Sequence, residues 1–344
     1  MAISRKYSDG IKALGFLCAL MVVAIHCWSP TKYFAGEPDL VGWRAAVAFF
    51  GTCTFVRIAV PFFFVITGFF LACSDKGWIE LMRRRFVTLY IPFVIWNALN
   101  VVLNFAAGRF EDVTLFVALE KIFGWNPMIK LGCMQFWYLQ SIFVVVLLWP
   151  IVKMLMSRWW TAAVVLAVLF SGWIHVYRYW LGMAMCPGHF LWICVGVLAG
   201  LKLDDFKRLG DCGSIRWIKF LFLFVFAASI IAKVYFGVVR NIAFYDLSDY
   251  ILIASGLITV FANLNVFGRV ADRLKPVLGL SFFIFAFHTI GITIALRLGG
   301  RVGLDGLSLY FFKIVFAIGL SIAVGAATRR LLPRIFGLLT GGRG

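Results

Sequence analysis

Four histidines, His26, His175, His189 and His288, each fall inside or at the edge of an apolar run. An imidazole gains or loses its proton near neutral pH, and an ionisable group in an apolar run needs a reason to be there. Each is therefore a candidate acid or base. Arg57 heads the apolar run that follows Thr54, where a guanidinium could stabilise negative charge developing on a substrate. Arg83-Arg84-Arg85 precedes Tyr90-Ile91-Pro92, and guanidinium forks grip phosphate oxygens two at a time. Lys12 stands fourteen residues before His26, roughly 21 Å along a helix and on about the same face. Trp137, Tyr138 and Gln140 could stack on and hydrogen-bond a sugar, with His189 and His288 completing the polar set. Plainer roles stay open for all of them: a packed core histidine, a basic anchor at the membrane surface, an interfacial aromatic belt. The shared depth of several histidines favours a polar cavity.

These side chains need a scaffold, and composition names it. Hydrophobic residues are 63% and charged residues 14% of the 344, against about 45–50% and about 25% in soluble domains. The chain reads as an all-α integral membrane protein. Apolar runs of about 20 residues predict ten transmembrane helices, near 10–29, 55–73, 86–107, 134–156, 159–178, 187–202, 216–237, 248–268, 276–297 and 307–331. Residues 41–54 are too short to cross alone and read as an interfacial helix. Arg5, Lys6 and Lys12 before the run Ala13–Ile25 mimic a secretory signal, but His26-Cys27-Trp28-Ser29-Pro30 follows in place of a small-residue cleavage site. The first span is read as retained. The eight cysteines show no CxxC and no pairing with histidine, so neither a disulfide framework nor a metal site is expected.

The net charge of +18 would suggest nucleic acid in a soluble protein, yet no stretch resembles a nucleic-acid module. Lys and Arg gather instead near the N-terminus and at 76–85, 153–158, 202–219, 269–275 and 329–343. Those stretches alternate with the spans, which puts both termini in the cytoplasm. With no repeat or linker, residues 1–344 read as one membrane domain; a homo-oligomer is compatible with this.

Ordered motifs then resemble a known family. Asp9-Gly10-Ile11-Lys12 opening a span that ends at His26, the run from Arg57 through Pro61 to Gly68, and Arg83-Arg84-Arg85 followed by Pro92 and Trp96 are similar to the acyltransferase-3 family of bacterial membrane acyltransferases. Phe136-Trp137-Tyr138-Leu139, Ser281 to His288, and Thr340 to Arg343 continue the likeness over nearly the whole chain. The resemblance implies a bacterial inner-membrane enzyme that moves an acyl group, often acetyl, from cytoplasmic acyl-CoA to a hydroxyl of a cell-surface or lipid-linked carbohydrate. It implies His26 as the essential histidine, Arg57 as a cavity residue, and Arg84 and Arg85 within the donor-binding loop. Two positions depart from the family: Gly15 stands where a basic residue usually lies eleven before the histidine, and Val87 and Thr88 follow the arginines where a basic residue usually recurs. Lys12 could serve in the first case, and Arg83 to Arg85 as a block in the second. Chemistry independent of the family agrees, since a neutral imidazole can deprotonate a hydroxyl as it attacks a thioester. The competing reading is a transporter or flippase of a lipid-linked sugar, which would also use intramembrane His and Arg. Few acidic residues in the spans and no internal repeat count against it.

Overall fold

A computed structural model of the protein describes residues 5–36, 39–108, 113–126, 129–174, 186–202 and 215–342. His175, Arg178, Cys212 and Arg343 lie outside the described residues. In chain order the helices are α1 (Arg5–Cys27), α2 (Thr31–Phe34), α3 (Gly42–Cys53), α4 (Ala59–Ala72), α5 (Trp78–Arg85), α6 (Ile91–Ala106), α7 (Leu115–Phe123), α8 (Trp137–Leu147), α9 (Trp149–Ser157), α10 (Trp159–Ile174), α11 (Pro187–Leu201), α12 (Ile215–Val238), α13 (Ile242–Ala262), α14 (Leu264–Leu278), α15 (Ser281–Arg301), α16 (Gly306–Leu331) and α17 (Pro333–Thr340). A 3-10 turn at Phe55–Ile58 leads into α4, and a π-turn at Phe86–Tyr90 joins α5 to α6. No strand occurs among the described residues, as expected where backbone groups must be satisfied without water.

Among the described residues, seven helical stretches are long and apolar enough to cross a bilayer, or eight if α8 and α9 are one bent span. The apolar runs α10 and α11 sit where the fifth and sixth spans were expected, at 16 and 15 residues. The predicted span 134–156 does not run straight: it bends by 73° at Leu148, because Pro150 lacks an N–H and fits only the first turn of a new helix. Residues 41–54, expected as an interfacial helix too short to cross alone, hold α3, which leads through the 3-10 turn into α4 so that Gly42 to Ala72 form one apolar stretch. The predicted span 248–268 begins earlier, where Asn241 caps α13 by accepting the Phe244 N–H at 3.3 Å.

The chain forms two compact units, residues 1–62 with 209–331 and residues 63–208 with 332–344. In the first, α1 packs against α14, α15 and α16, while α12–α13 and α15–α16 form helical hairpins. Small and branched buried residues (Ala13, Ala19, Val22, Val23, Ala286 and Ala317) let these helices close on one another.

In the second unit, Gly196 on α11 faces the Val65 backbone of α4, where a Cβ would come within 2.7 Å of the Val65 carbonyl carbon. Gly68 makes the reciprocal approach to Ile193 and Val197. The segment after α6 folds back along that helix. Tyr90 Oη donates to the Phe123 carbonyl at 3.2 Å, although Tyr90 is sixteen residues, about 24 Å, from the far end of α6. Helix α17 also returns to α6: the Trp96 indole donates to the Leu339 carbonyl at 2.9 Å. Gly341, at φ +64°, rests on the Thr88 backbone within the π-turn, where a side chain would be both strained and crowded.

Candidate active site

In the first unit the chemistry gathers at one end of α1. His26 lies one residue before the helix ends and is half-buried. Its Nδ1 is 2.8 Å from the Val22 carbonyl. A carbonyl only accepts, so Nδ1 carries the proton and Nε2 holds the free lone pair. His288 on α15 repeats the pattern, with Nδ1 2.8 Å from the Phe285 carbonyl. It is fully buried, and its Nε2 has no hydrogen-bond partner. The two imidazole rings stand 5.0 Å apart, tilted by 55°. Lys313 Nζ on α16 donates to the Cys27 carbonyl and so caps the end of α1 that presents His26.

Arg57 occupies the 3-10 turn, which its backbone N–H closes onto the Thr54 carbonyl at 2.8 Å. That turn packs against α1, the helix that carries His26. One η nitrogen of Arg57 donates to Asp249 Oδ2 on α13 at 3.3 Å, and 39% of the side chain stays exposed. The other carboxylate oxygen pairs with Lys233 Nζ on α12 at 3.1 Å, both groups being buried. Lys233 also donates to the Tyr245 carbonyl at 3.0 Å and sits 3.3 Å from the centre of the Tyr245 ring. Lys12, at the opposite end of α1, is exposed and pairs with Asp9 at 3.3 Å.

The second unit holds a cavity of about 600 Å³ lined by Arg83, Arg85, Phe86, Tyr90, Phe123, Trp125 and Gln140, with further apolar residues of α8. Arg85 Nε is buried there without a hydrogen-bond partner. Arg84 does not line the cavity and is exposed. Gln140 donates to the Gly124 carbonyl at 2.9 Å. Tyr138 shares a 3.1 Å hydrogen bond with Thr67 and donates to the Phe63 carbonyl. His189 is stacked between Trp137, at 4.3 Å, and Phe64, at 5.1 Å, with Nδ1 3.4 Å from Ser141 Oγ. No group of three or more His, Cys, Asp or Glu able to hold a metal occurs among the described residues.

The structure thus brings His26, His288 and Arg57 together in one unit, and Arg83, Arg85 and Gln140 around a cavity in the other. Lys233, Asp249 and Lys313 escaped the sequence reading. The spans hold more buried charge than their composition suggested, since Asp249 is a buried carboxylate with two cationic partners. A signal existed: a lysine within the apolar run 217–238 is a charge that must be paired.

Comparison with known proteins adds the following. A family described as an acyltransferase domain matches residues 6–326. A succinoglycan biosynthesis protein, ExoH, of Rhizobium meliloti is 25% identical, over 98% of this chain and 92% of its own length. An amino-acid racemase of Enterococcus faecalis is 27% identical over 40% of this chain and 19% of its own length. No solved structure matches.

Proposed function

The chain belongs to the acyltransferase-3 family, whose domain covers residues 6–326, and from that premise we propose that it carries an acyl group from cytoplasmic acyl-CoA to a polysaccharide hydroxyl. Acetyl-CoA is the donor we infer. A cell-surface or lipid-linked carbohydrate is the acceptor, a reading supported by the relative that serves succinoglycan biosynthesis. Both termini lie in the cytoplasm of a bacterial inner membrane, in keeping with the clusters of Lys and Arg, and residues 1–344 act as one membrane enzyme.

His26 Nε2 takes the proton of the acceptor hydroxyl as that oxygen attacks the thioester carbonyl carbon. The N–H groups of Arg57 not spent on Asp249 donate to the carbonyl oxygen as it gains negative charge. When the carbon–sulfur bond breaks, His26 returns its proton to the departing sulfur. The His288 ring packs against that of His26. Arg83 and Arg85 present guanidinium groups at a largely apolar cavity of aromatic and aliphatic side chains, a chemistry suited to a phosphate-bearing donor with an apolar arm. Arg84 and Lys12 add positive charge for the donor, and Trp137, Tyr138, Gln140 and His189 supply stacking faces and polar atoms for a sugar.

The observation that carries this reading is the bare Nε2 of half-buried His26 in one unit with a partly open Arg57. The test is acetyl transfer from labelled acetyl-CoA to candidate glycans, followed by mass spectrometry. His26→Ala should lower specific activity per folded molecule by about 10²–10⁴-fold while leaving CoA-induced thermal stabilisation in place. Near-normal activity per folded molecule would remove His26 from the role.

A further inference from the structure

Lys233 and Asp249 form, with Arg57, a chain of three charges inside the first unit. Lys233 is 2% and Asp249 3% exposed, while Arg57 at the end of the chain is 39% exposed. Every polar contact of Lys233 is internal: the Asp249 carboxylate, the Tyr245 carbonyl and the Tyr245 ring. It reaches nothing outside the cluster. Each oxygen of Asp249 faces one cation: Oδ2 accepts from Arg57, and Oδ1 meets Lys233 as an ion pair without hydrogen-bond geometry. Arg57 alone keeps N–H groups to spare, because its one side-chain hydrogen bond among the described residues is to Asp249.

Stability does not account for such an arrangement, since buried ion pairs often gain nothing over apolar side chains of similar volume. What the carboxylate adds is direction. A guanidinium held on one edge by a carboxylate loses its freedom to swing, and its remaining donors become a fixed array. Lys233 does the same for the carboxylate, from the neighbouring helix of the α12–α13 hairpin.

We propose that Asp249 and Lys233 are positioning residues for acyl transfer: Asp249 fixes one edge of the Arg57 guanidinium so that its free N–H groups face the reacting carbonyl beside His26, and Lys233 fixes Asp249. The proposal rests on the acyl-transfer reading above. It separates from a purely structural role because a positioning residue acts only through the group it positions.

The test measures label incorporation from radiolabelled acetyl-CoA in membrane vesicles of the cells that natively carry the chain, which contain its own acceptor. Vesicles lacking the protein give the background, and each variant is normalised to folded protein. Asp249→Asn should lower kcat about 10- to 100-fold with the KM for acetyl-CoA within about twofold, a loss confined to the step where charge develops. Asp249→Glu should regain part of the rate. In an Arg57→Ala background, Asp249→Asn should cost no more than about a further twofold. Asp249→Asn leaves Lys233 unpaired and can misfold, so the Asp249→Asn/Lys233→Met double variant is measured beside it; its folded yield should recover while kcat stays low. Three results would overturn the proposal: kcat within twofold of wild type in that double variant, losses that multiply in the Arg57→Ala background, or a rise in KM with kcat unchanged. Wild-type vesicles that incorporate no label above background would instead overturn the acyl-transfer reading, and this proposal with it.

Discussion

Replacing Arg85 with methionine should move stability and donor affinity in opposite directions, and the reason is a single nitrogen. Arg85 Nε is buried at the wall of the second unit's cavity with no hydrogen-bond partner. A buried donor left unsatisfied costs about 1–3 kcal/mol. Methionine keeps much of the length and apolar bulk but has no N–H to satisfy, so the empty protein should melt at the same temperature or higher. Donor binding should suffer instead. A charge-assisted hydrogen bond contributes about 1.5–3 kcal/mol, and at about 1.4 kcal/mol for each tenfold, losing one weakens Kd roughly 10- to 150-fold. Arg84 is exposed and off the cavity, so Arg84→Ala should change Kd by no more than about threefold, as a screened surface charge does. Arg83 is exposed but lines the cavity and should fall between the two. The assay is equilibrium binding of radiolabelled acetyl-CoA to detergent-solubilised protein at fixed ionic strength, with thermal unfolding of the same samples. Wild-type affinity in Arg85→Met, or equal losses in Arg84→Ala and Arg85→Met, would refute the reasoning and leave the arginine block as an anchor of topology.

Two further outcomes follow from packing and from charge. Gly196→Val should overlap the Val65 backbone of α4, costing at least about 1–3 kcal/mol; folded yield by gel filtration should fall sharply, and wild-type yield would show that α4 and α11 do not need this approach. A reporter active only outside the cytoplasm should give signal when fused at Gly36 or Gly108 and none at Gly77, and reversal at two of these sites would overturn the orientation on which donor and acceptor sides depend.

The scaffold was legible in the sequence because the bilayer imposes length and apolarity residue by residue; α1, α12 and α16 lie almost where their apolar runs do. The bend at Leu148 was signalled by Pro150, but apolarity alone runs through it. His26 and Arg57 stood out as polar residues in apolar surroundings. That His26 faces His288 could not be read from spacing, because 262 positions separate them and only the packing of α1 on α15 joins them. Asp249 was obscured by neighbouring polar residues at the start of α13, and its link to Arg57 spans 192 positions. The return of the segment after α6 was hidden for another reason: a loop's depth depends on what it folds against, here Tyr90 and Gln140.

The seat of Leu339 and Gly341 on α6 bears on how the protein is made. The second unit is discontinuous, its first part ending at residue 208 and its last beginning at 332. Between them the ribosome must deliver the whole of 209–331, which belongs to the other unit. The π-turn after the arginine block therefore waits, without its Gly341 buttress, while α12 to α16 are inserted and paired. Domains that fold in order of synthesis are finished as they emerge; here each unit is interrupted by the other, and the second closes last. A nascent chain paused before residue 332 should carry a complete first unit and a π-turn still without its Gly341 support; if the arginine block binds the donor as proposed, that property should be among the last acquired during biogenesis.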